Sequence, residues 1–360
     1  MLTQVPSGML QTTAQFYSMK NRIINGAMVI DQRNNGAALN PVVDGNFCVD
    51  RFKFQQSLGS KFSTQQLSAS PPVGFSNYLN CTSLSAYSVS STDYFVLSQL
   101  IEANNVQDLA WGTANAKTIT LSFWIQCSLT GTFSGVIENN GGTRSYPFTY
   151  SIPVANTWTY ISVSIPGDTS GTWTLSGNTV GVYVRFSLGV GSSNSGTPNT
   201  WANTGYLAAT GSVNVVGTSG ATWNITGVQF EVGTQATSFD YRPYTTELAL
   251  CQRYLPAFSY GIGQSIGVGA NWANGNIFAD VFFPVQARTV PTGLTISSGT
   301  DVTVFYNGTG YVSTGVSLGG ASITTAELNV ACSGSVSGGG GCFVRSGASN
   351  LLFYLTGCEL

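Results

Sequence analysis

Where this chain shows regular hydrophobic spacing, the period is two residues and the run is short. Leu121, Phe123 and Ile125 recur at every second position, and Ile161, Val163 and Ile165 alternate with Tyr160, Ser162 and Ser164. A period of two sends successive side chains to opposite faces of a β-strand, so such runs are strands with one face turned to a core. Similar runs are expected as strands over 47–55, 78–82, 94–101, 118–127, 132–138, 148–152, 157–165, 180–188, 213–216 and 223–232, separated by Gly, Asn, Ser or Pro clusters. Strands this short suit two packed sheets, which makes residues 25–244 one β-sandwich.

Other stretches depart from that pattern. Residues 102–110, EANNVQDLA, have little strand character and suit a turn of helix, whereas 189–211 form a long polar insertion carrying Trp201 and Tyr206. Insertions of that length are uncommon unless they bind something or stay mobile. A linking helix is expected over 245–255, capped by Thr245 or Thr246 and stopped by Pro256. Its stripe of Leu248, Cys251 and Leu255 suits either a lid on the sandwich or a contact between symmetry mates around a threefold axis. Residues 256–360 then form a second, smaller β-sandwich module, with strands expected at 277–283, 302–306, 322–330, 342–344 and 351–355. The all-β reading thus has two modules and one short helix. Residues 1–24 lack periodicity and read either as a frayed terminus or as an attachment arm anchored by Phe16, Tyr17 and Met19.

Composition removes several kinds of chemistry. There is no histidine, which excludes Ser-His-Asp and Cys-His catalysis and imidazole metal ligation. Charged residues are 8%, against roughly a quarter in an average globular protein, so hydroxyls and amides must carry solubility. The net charge of −2 is spread without a basic stripe, which argues against nucleic acid as a partner. The 7 cysteines lack C-x-x-C spacing and imply neither a zinc site nor a disulfide framework; Cys332 and Cys342, which bracket SGSVSGGGG, remain a candidate bridge. MLTQVPSGML lacks the features of a secretion signal and no run is long enough for a membrane helix, so synthesis in the cytoplasm without membrane insertion is expected.

Blocks of sequence carry a resemblance. NRIINGAM at 21–28 with Asp31, Gln32 and Arg33, VDRF at 49–52, KTITLSFWI at 117–125, and TGVQFEVG at 226–233 followed by Phe239, RPY at 242–244 and ELALCQRY at 247–254 occur in order. Together they resemble a module of virion proteins from tailed bacteriophages and prophages, often in tail fibres. The resemblance covers about residues 20–255, and more weakly 282–292. It implies a jelly-roll β-sandwich akin to carbohydrate-binding modules, but identifies no sugar-contacting residue. A structural calcium is compatible with such jelly rolls; no cofactor is otherwise expected.

These readings converge on a non-enzymatic bacteriophage virion protein, a short tail fibre or tail-tip protein that touches host-surface glycans. It is expected to be a homotrimer joined to other virion proteins through its N-terminal arm. The alternatives are a capsid decoration protein and a polysaccharide-degrading tailspike, the latter requiring paired carboxylates that the scattered acidic residues do not suggest. Flat rings stack on the apolar faces of sugars, so the loop-proximal aromatics Trp201, Tyr206, Trp272 and Tyr306 are the candidate glycan contacts, with ordinary packing as their competing role. Trp124 and Trp223, on strands, are expected in the core.

Overall fold

The computed structural model describes residues 19–273, 275–333 and 339–360, apart from the side chains of residues 272 and 273. Phe16 and Tyr17 therefore lie outside the described residues, while Met19 is half-buried. The chain divides into two compact units after Pro243.

The strands of the first unit, in chain order, are β1 (Phe47–Val49), β2 (Phe52–Gln56), β3 (Phe62–Leu67), β4 (Tyr78–Ser83), β5 (Tyr94–Glu102), β6 (Ile119–Cys127), β7 (Gly131–Asn139), β8 (Ser145–Ile152), β9 (Thr159–Ile165), β10 (Val180–Val190), β11 (Ser195–Gly196), β12 (Ala208–Ala209) and β13 (Thr222–Val232). Two large antiparallel sheets, ordered β1-β2-β5-β10-β7-β8 and β3-β4-β13-β6-β9, make the sandwich, and the chain passes repeatedly from one to the other. Their inner faces close over Phe52, Phe54, Phe95, Phe123, Phe133, Phe148, Phe186 and Trp223, all essentially inaccessible to solvent. Each such side chain contributes roughly 1.5–3 kcal/mol through burial.

Most of the expected strands are present, and the exceptions have local causes. The run at 47–55 divides at Asp50-Arg51, where Arg51 takes a φ of 73° and turns the chain between β1 and β2. The β-branched run at 213–216 is not a strand; Val215–Gly217 is a 3₁₀ turn that buries Val215 and Val216. Conversely β3, FSTQQL, is a strand despite its polar composition because it lies at a sheet edge and buries only alternate residues, Phe62 and Thr64. The helical character expected in 102–110 takes the form of 3₁₀ turns at Ala103–Asn105 and Gln107–Leu109.

The second unit begins with α1 (Tyr244–Gln252) and continues through β14 (Ala257–Tyr260), β15 (Ser265–Ala273), β16 (Asn276–Phe282), β17 (Gly293–Ile296), β18 (Val302–Tyr306), β19 (Thr309–Ala321), β20 (Thr325–Cys332), β21 (Gly341–Ser346) and β22 (Leu351–Thr356). It is all-β after the helix, as expected, but its main sheet closes into a barrel, β15-β16-β20-β19-β18-β21, beside a small sheet β14-β22-β17. Closure follows from β15 pairing with both β16 and β21, which leaves no free edge. Val281, Val304, Ala326, Leu328, Val330 and Val344 fill its interior. Of the stripe expected along the linking helix, Cys251 and, beyond the end of α1, Leu255 are fully buried, and Leu248 is half-buried.

Candidate functional site

Because Leu121, Phe123 and Ile125 of β6 point into the sandwich core, Ser122, Trp124 and Gln126 point outward. Trp124 sits between Tyr160 of β9 and Thr226 of β13, and its ring lies 5.3 Å from that of Tyr160. One step along the sheet, Asn80 donates to Asn224 (2.6 Å) and Asn224 to Gln126 (2.8 Å), an amide ladder across β4, β13 and β6. The outer face of this sheet therefore presents aromatic rings beside amides and hydroxyls.

A bulge shapes the hollow over Trp124. The register of β13 against β6 slips between Thr226 and Gln229, where Gly227 adopts a φ of 64°. A Cβ at Gly227 would come within 2.7 Å of the Phe75 ring and 3.1 Å of Trp124, so only glycine lets both rings approach. Phe75, Phe239 and Tyr241 form a mutually packed trio with ring centres 4.9 to 5.6 Å apart. The resulting open hollow has a volume of about 320 Å³, with Trp124 and Tyr160 on the strands, Tyr241 and Phe75 in the facing loops, and Ser122, Thr237 and Ser238 supplying hydroxyls. Tyr160 on the sheet face is 45% exposed and Tyr241 in the loop 60% exposed. No ionisable carboxylate or amine lines the hollow; the ammonium of Lys20 donates to the Ser238 carbonyl at 2.6 Å.

The segment carrying Phe239 and Tyr241 is fixed by the residues that made up the sequence blocks. Glu231 accepts from the Thr237 amide (2.9 Å) and hydroxyl (2.6 Å), and Gln229 accepts from the Asp240 amide (2.8 Å). Arg242 pairs with Asp240 at 3.4 Å and donates to the carbonyls of Asn21 and Ile23. Asn21 in turn bonds Val228 and Phe230 of β13, while Gln99 exchanges two 2.8 Å bonds with the backbone of Ile24. Asp50 accepts from Gln32, and Arg51 donates to Leu100 O. The opening block, Asp50 with Arg51, and the closing block are thus one hydrogen-bonded clasp that holds the wall of the hollow.

Of the aromatics expected to contact a ligand, Trp201 and Tyr206 do not line this hollow. Trp201 packs edge-on against Trp111 (5.6 Å), Trp173 (5.7 Å) and Tyr146 (5.1 Å), with its indole N–H donated to Pro166 O at 2.9 Å. Beneath that cluster Arg144 pairs with Asp168 at 2.5 Å, and Trp173 also donates to Asp168. Burial alone would push the Asp168 carboxyl up, but the bonds from Arg144, Trp173 and Ser170 outweigh it and hold the group below its ordinary value. Tyr206 lies flat over Gly196, where a Cβ would fall 2.2 Å from its ring, and Tyr306 of the second unit lies similarly against Gly340. The Trp272 side chain lies outside the described residues. Trp223 is in the core as expected, but Trp124 is not: its parity opposite Leu121, Phe123 and Ile125 was the sequence signal that places it on the outer face.

Among the described residues no group of three or more Cys, Asp or Glu side chains gathers to hold a metal ion, and Cys332 and Cys342 are free thiols. Burial pushes the Cys48 thiol up to about 12 and that of Cys332 up to about 11.

No family model and no curated protein matches the chain. Among solved structures it is similar to the enzymatically active domain of tailspike protein 4 of bacteriophage CBA120, with 12% identity and a TM-score of 0.34 over 59% of this chain and 21% of that one. It thus spans about a fifth of the tailspike chain. It is also similar to the module TmCBM61 in complex with β-1,4-galactotriose, with 10% identity and a TM-score of 0.30 over 59% of this chain and 99% of that one. A third is the family 11 carbohydrate-binding module from Clostridium thermocellum in complex with a β-1,3-1,4-mixed-linked tetrasaccharide, with 13% identity and a TM-score of 0.29 over 55% and 97% of the two chains. At these identities and scores the likeness is one of distant β architecture.

Proposed function

We propose that this chain is a non-catalytic bacteriophage surface protein whose sandwich binds an uncharged host-surface glycan in the hollow over Trp124. The observation that carries this reading is the half-buried Trp124 beside the exposed Tyr160, faced by Tyr241 and bordered by Ser122, Thr237 and Ser238, with no ionised group in the lining. A pyranose has an apolar face that stacks on such rings and hydroxyls that bond such side chains. Glycoside hydrolysis requires two carboxylates roughly 5 to 10 Å apart, and neither Asp nor Glu lines the hollow, which supports a binding rather than a cleaving role. The ordered blocks at 21–28, 49–52, 117–125 and 226–254 support the bacteriophage assignment, with the tail as the place of action.

Titration of the purified chain with neutral oligosaccharides tests the site. Trp124→Ala should weaken binding by about tenfold, the equivalent of about 1.4 kcal/mol and within the range of an aromatic contact plus its buried area. Equal affinity in the variant, or turnover of the polysaccharide, would refute the reading. Immunogold labelling of intact virions tests the location, since label confined to the head would make this a decoration protein instead.

A further inference from the structure

The outer face of the barrel holds a second aromatic surface. Strands β21 and β18 set Phe343 opposite Phe305 and Arg345 opposite Thr303, and β19 sets Val312 on the other side of Thr303. These side chains therefore share one face of three hydrogen-bonded strands. Phe343 is 54%, Val312 56% and Phe305 36% exposed, so the rings are not absorbed by the fold. An open hollow of about 330 Å³, at the small end of ligand sites, is lined by Thr300, Thr303, Phe305, Val312 and Arg345.

Arg345 gives this surface its chemistry. Its guanidinium carbon lies 5.1 Å from the centre of the Phe305 ring, and among the described residues its side chain has neither a hydrogen-bond nor an ion-pair partner. Among the described residues the Thr303 hydroxyl beside it has no hydrogen-bond partner either. Asp301 is the acid in the hollow wall, but it is occupied by the turn that follows β21: the Ser349 hydroxyl and the amides of Ala348 and Ser349 donate to it. The Ser349 hydroxyl leads the interactions that hold its carboxyl below the ordinary value, and it makes no ion pair with Arg345.

We propose that this hollow binds an acidic saccharide, a hexuronic acid ring whose carboxylate pairs with Arg345 while its apolar face lies on Phe305. A guanidinium presents parallel N–H donors that match a carboxylate two to two, and stacking on an aromatic face holds that fork in place. Phe305 offers a flat surface of the right size for one ring, and Thr303 a hydroxyl for its neighbour. A neutral sugar would leave the guanidinium unanswered. The proposal shares with the sandwich reading only the saccharide class of ligand and none of its residues, so either can fail alone.

The test titrates the full chain with oligomers of galacturonate, glucuronate and mannuronate, and with neutral galactose and glucose oligomers of equal length. At least one uronate should bind, Arg345→Met should weaken it by about tenfold or more, Arg345→Lys should retain part of it, and Trp124→Ala should leave it unchanged. Thr303→Val, which keeps size and strand preference, should weaken it less. Far-UV circular dichroism reports whether each variant is folded, and these are exposed or half-buried outer-face positions. Failure of every uronate to bind, equal binding of neutral oligomers at this site, or loss of uronate binding in Trp124→Ala but not in Arg345→Met would each overturn the proposal. A change of mass in Arg345→Met by light scattering, without a change in uronate affinity, would instead identify the surface as a contact between copies and overturn it as well.

Discussion

In the sandwich, Arg22 holds Asp108 at 2.7 Å, Arg144 holds Asp168 at 2.5 Å, Arg185 holds Glu138 at 2.7 Å and Arg242 holds Asp240 at 3.4 Å; in the barrel, Arg345 lies on Phe305 with no carboxylate. In a chain with only 8% charged residues, an arginine committed to an internal pair says little about ligands. One that remains on an open aromatic face says more. The sandwich pairs these arginines with carboxylates of its own, one of the pairs within the clasp, and the hollow beside that clasp is uncharged. The barrel is held by small aliphatic side chains and ladder bonds, which leaves its surface cation available. Two aromatic hollows of nearly equal volume thus differ in the property that separates neutral from acidic sugars.

The largest expected effect comes from cutting one of the sandwich's internal pairs. Asp168→Ala leaves Arg144 buried beside three tryptophans without its counter-charge, and should cost about 3–5 kcal/mol of unfolding free energy. Denaturant unfolding followed by tryptophan fluorescence measures it. Arg345→Met should change stability by less than about 0.5 kcal/mol, and an equal loss in both variants would break the contrast between the units. The Asp168 pair also sets a pH dependence. Its carboxyl titrates below the ordinary value in the fold, so its stabilisation is present above the unfolded carboxylate range and disappears as pH falls through the folded value. In Asp168→Ala that acid-side loss should be reduced.

Next in size is the bulge. Gly227→Ala places a side chain at φ 64° and 2.7 Å from Phe75, and should cost about 1–3 kcal/mol while displacing the rings that bound the neutral hollow. Gly315, on the barrel, has φ outside the left-handed region and open space where a Cβ would project, so Gly315→Ala should leave both stability and uronate binding nearly unchanged. A harmless Gly227→Ala would show that the hollow is not shaped by its bulge.

Much of the fold was legible because strand parity is a local signal. The alternation in 121–125 and 160–165 identified two neighbouring strands and their buried faces, and the polar β3 escaped because an edge strand need bury only Phe62 and Thr64. The run at 213–216 misled for the converse reason: its valines are buried at the end of a loop, where Asn214 bonds the Val190 amide, rather than in a ladder. The candidate site was less legible. Position near a loop made Trp201 and Tyr206 look available, yet the long insertion folds back and packs both, Trp201 against Trp111 and Pro166 far away in sequence and Tyr206 against Gly196 within the insertion itself. Trp124 was readable from parity alone, whereas the approach of Tyr241 to Gly74 and of Phe75 to Gly227 depends on tertiary contacts. Arg345 is unremarkable in sequence; what distinguishes it is its place on the Phe305 ring with no carboxylate partner among the described residues.

The smallest effect separates the hollows most cleanly. An exposed ion pair contributes about 0–1 kcal/mol and is screened as the Debye length falls from roughly 10 Å at 0.1 M salt to 3 Å at 1 M. Uronate affinity at the barrel should therefore fall by up to about fivefold across that range, while neutral-glycan affinity at the sandwich, which involves no ionised lining residue, should stay level. Sodium chloride titrations by calorimetry on the same preparation read both slopes. Parallel slopes would mean that charge does not distinguish the two sites, and a flat uronate slope would mean that Arg345 does not meet the carboxylate. Divergent slopes, with the uronate slope abolished in Arg345→Met, would trace the difference between the units to one guanidinium left unpaired on an aromatic ring.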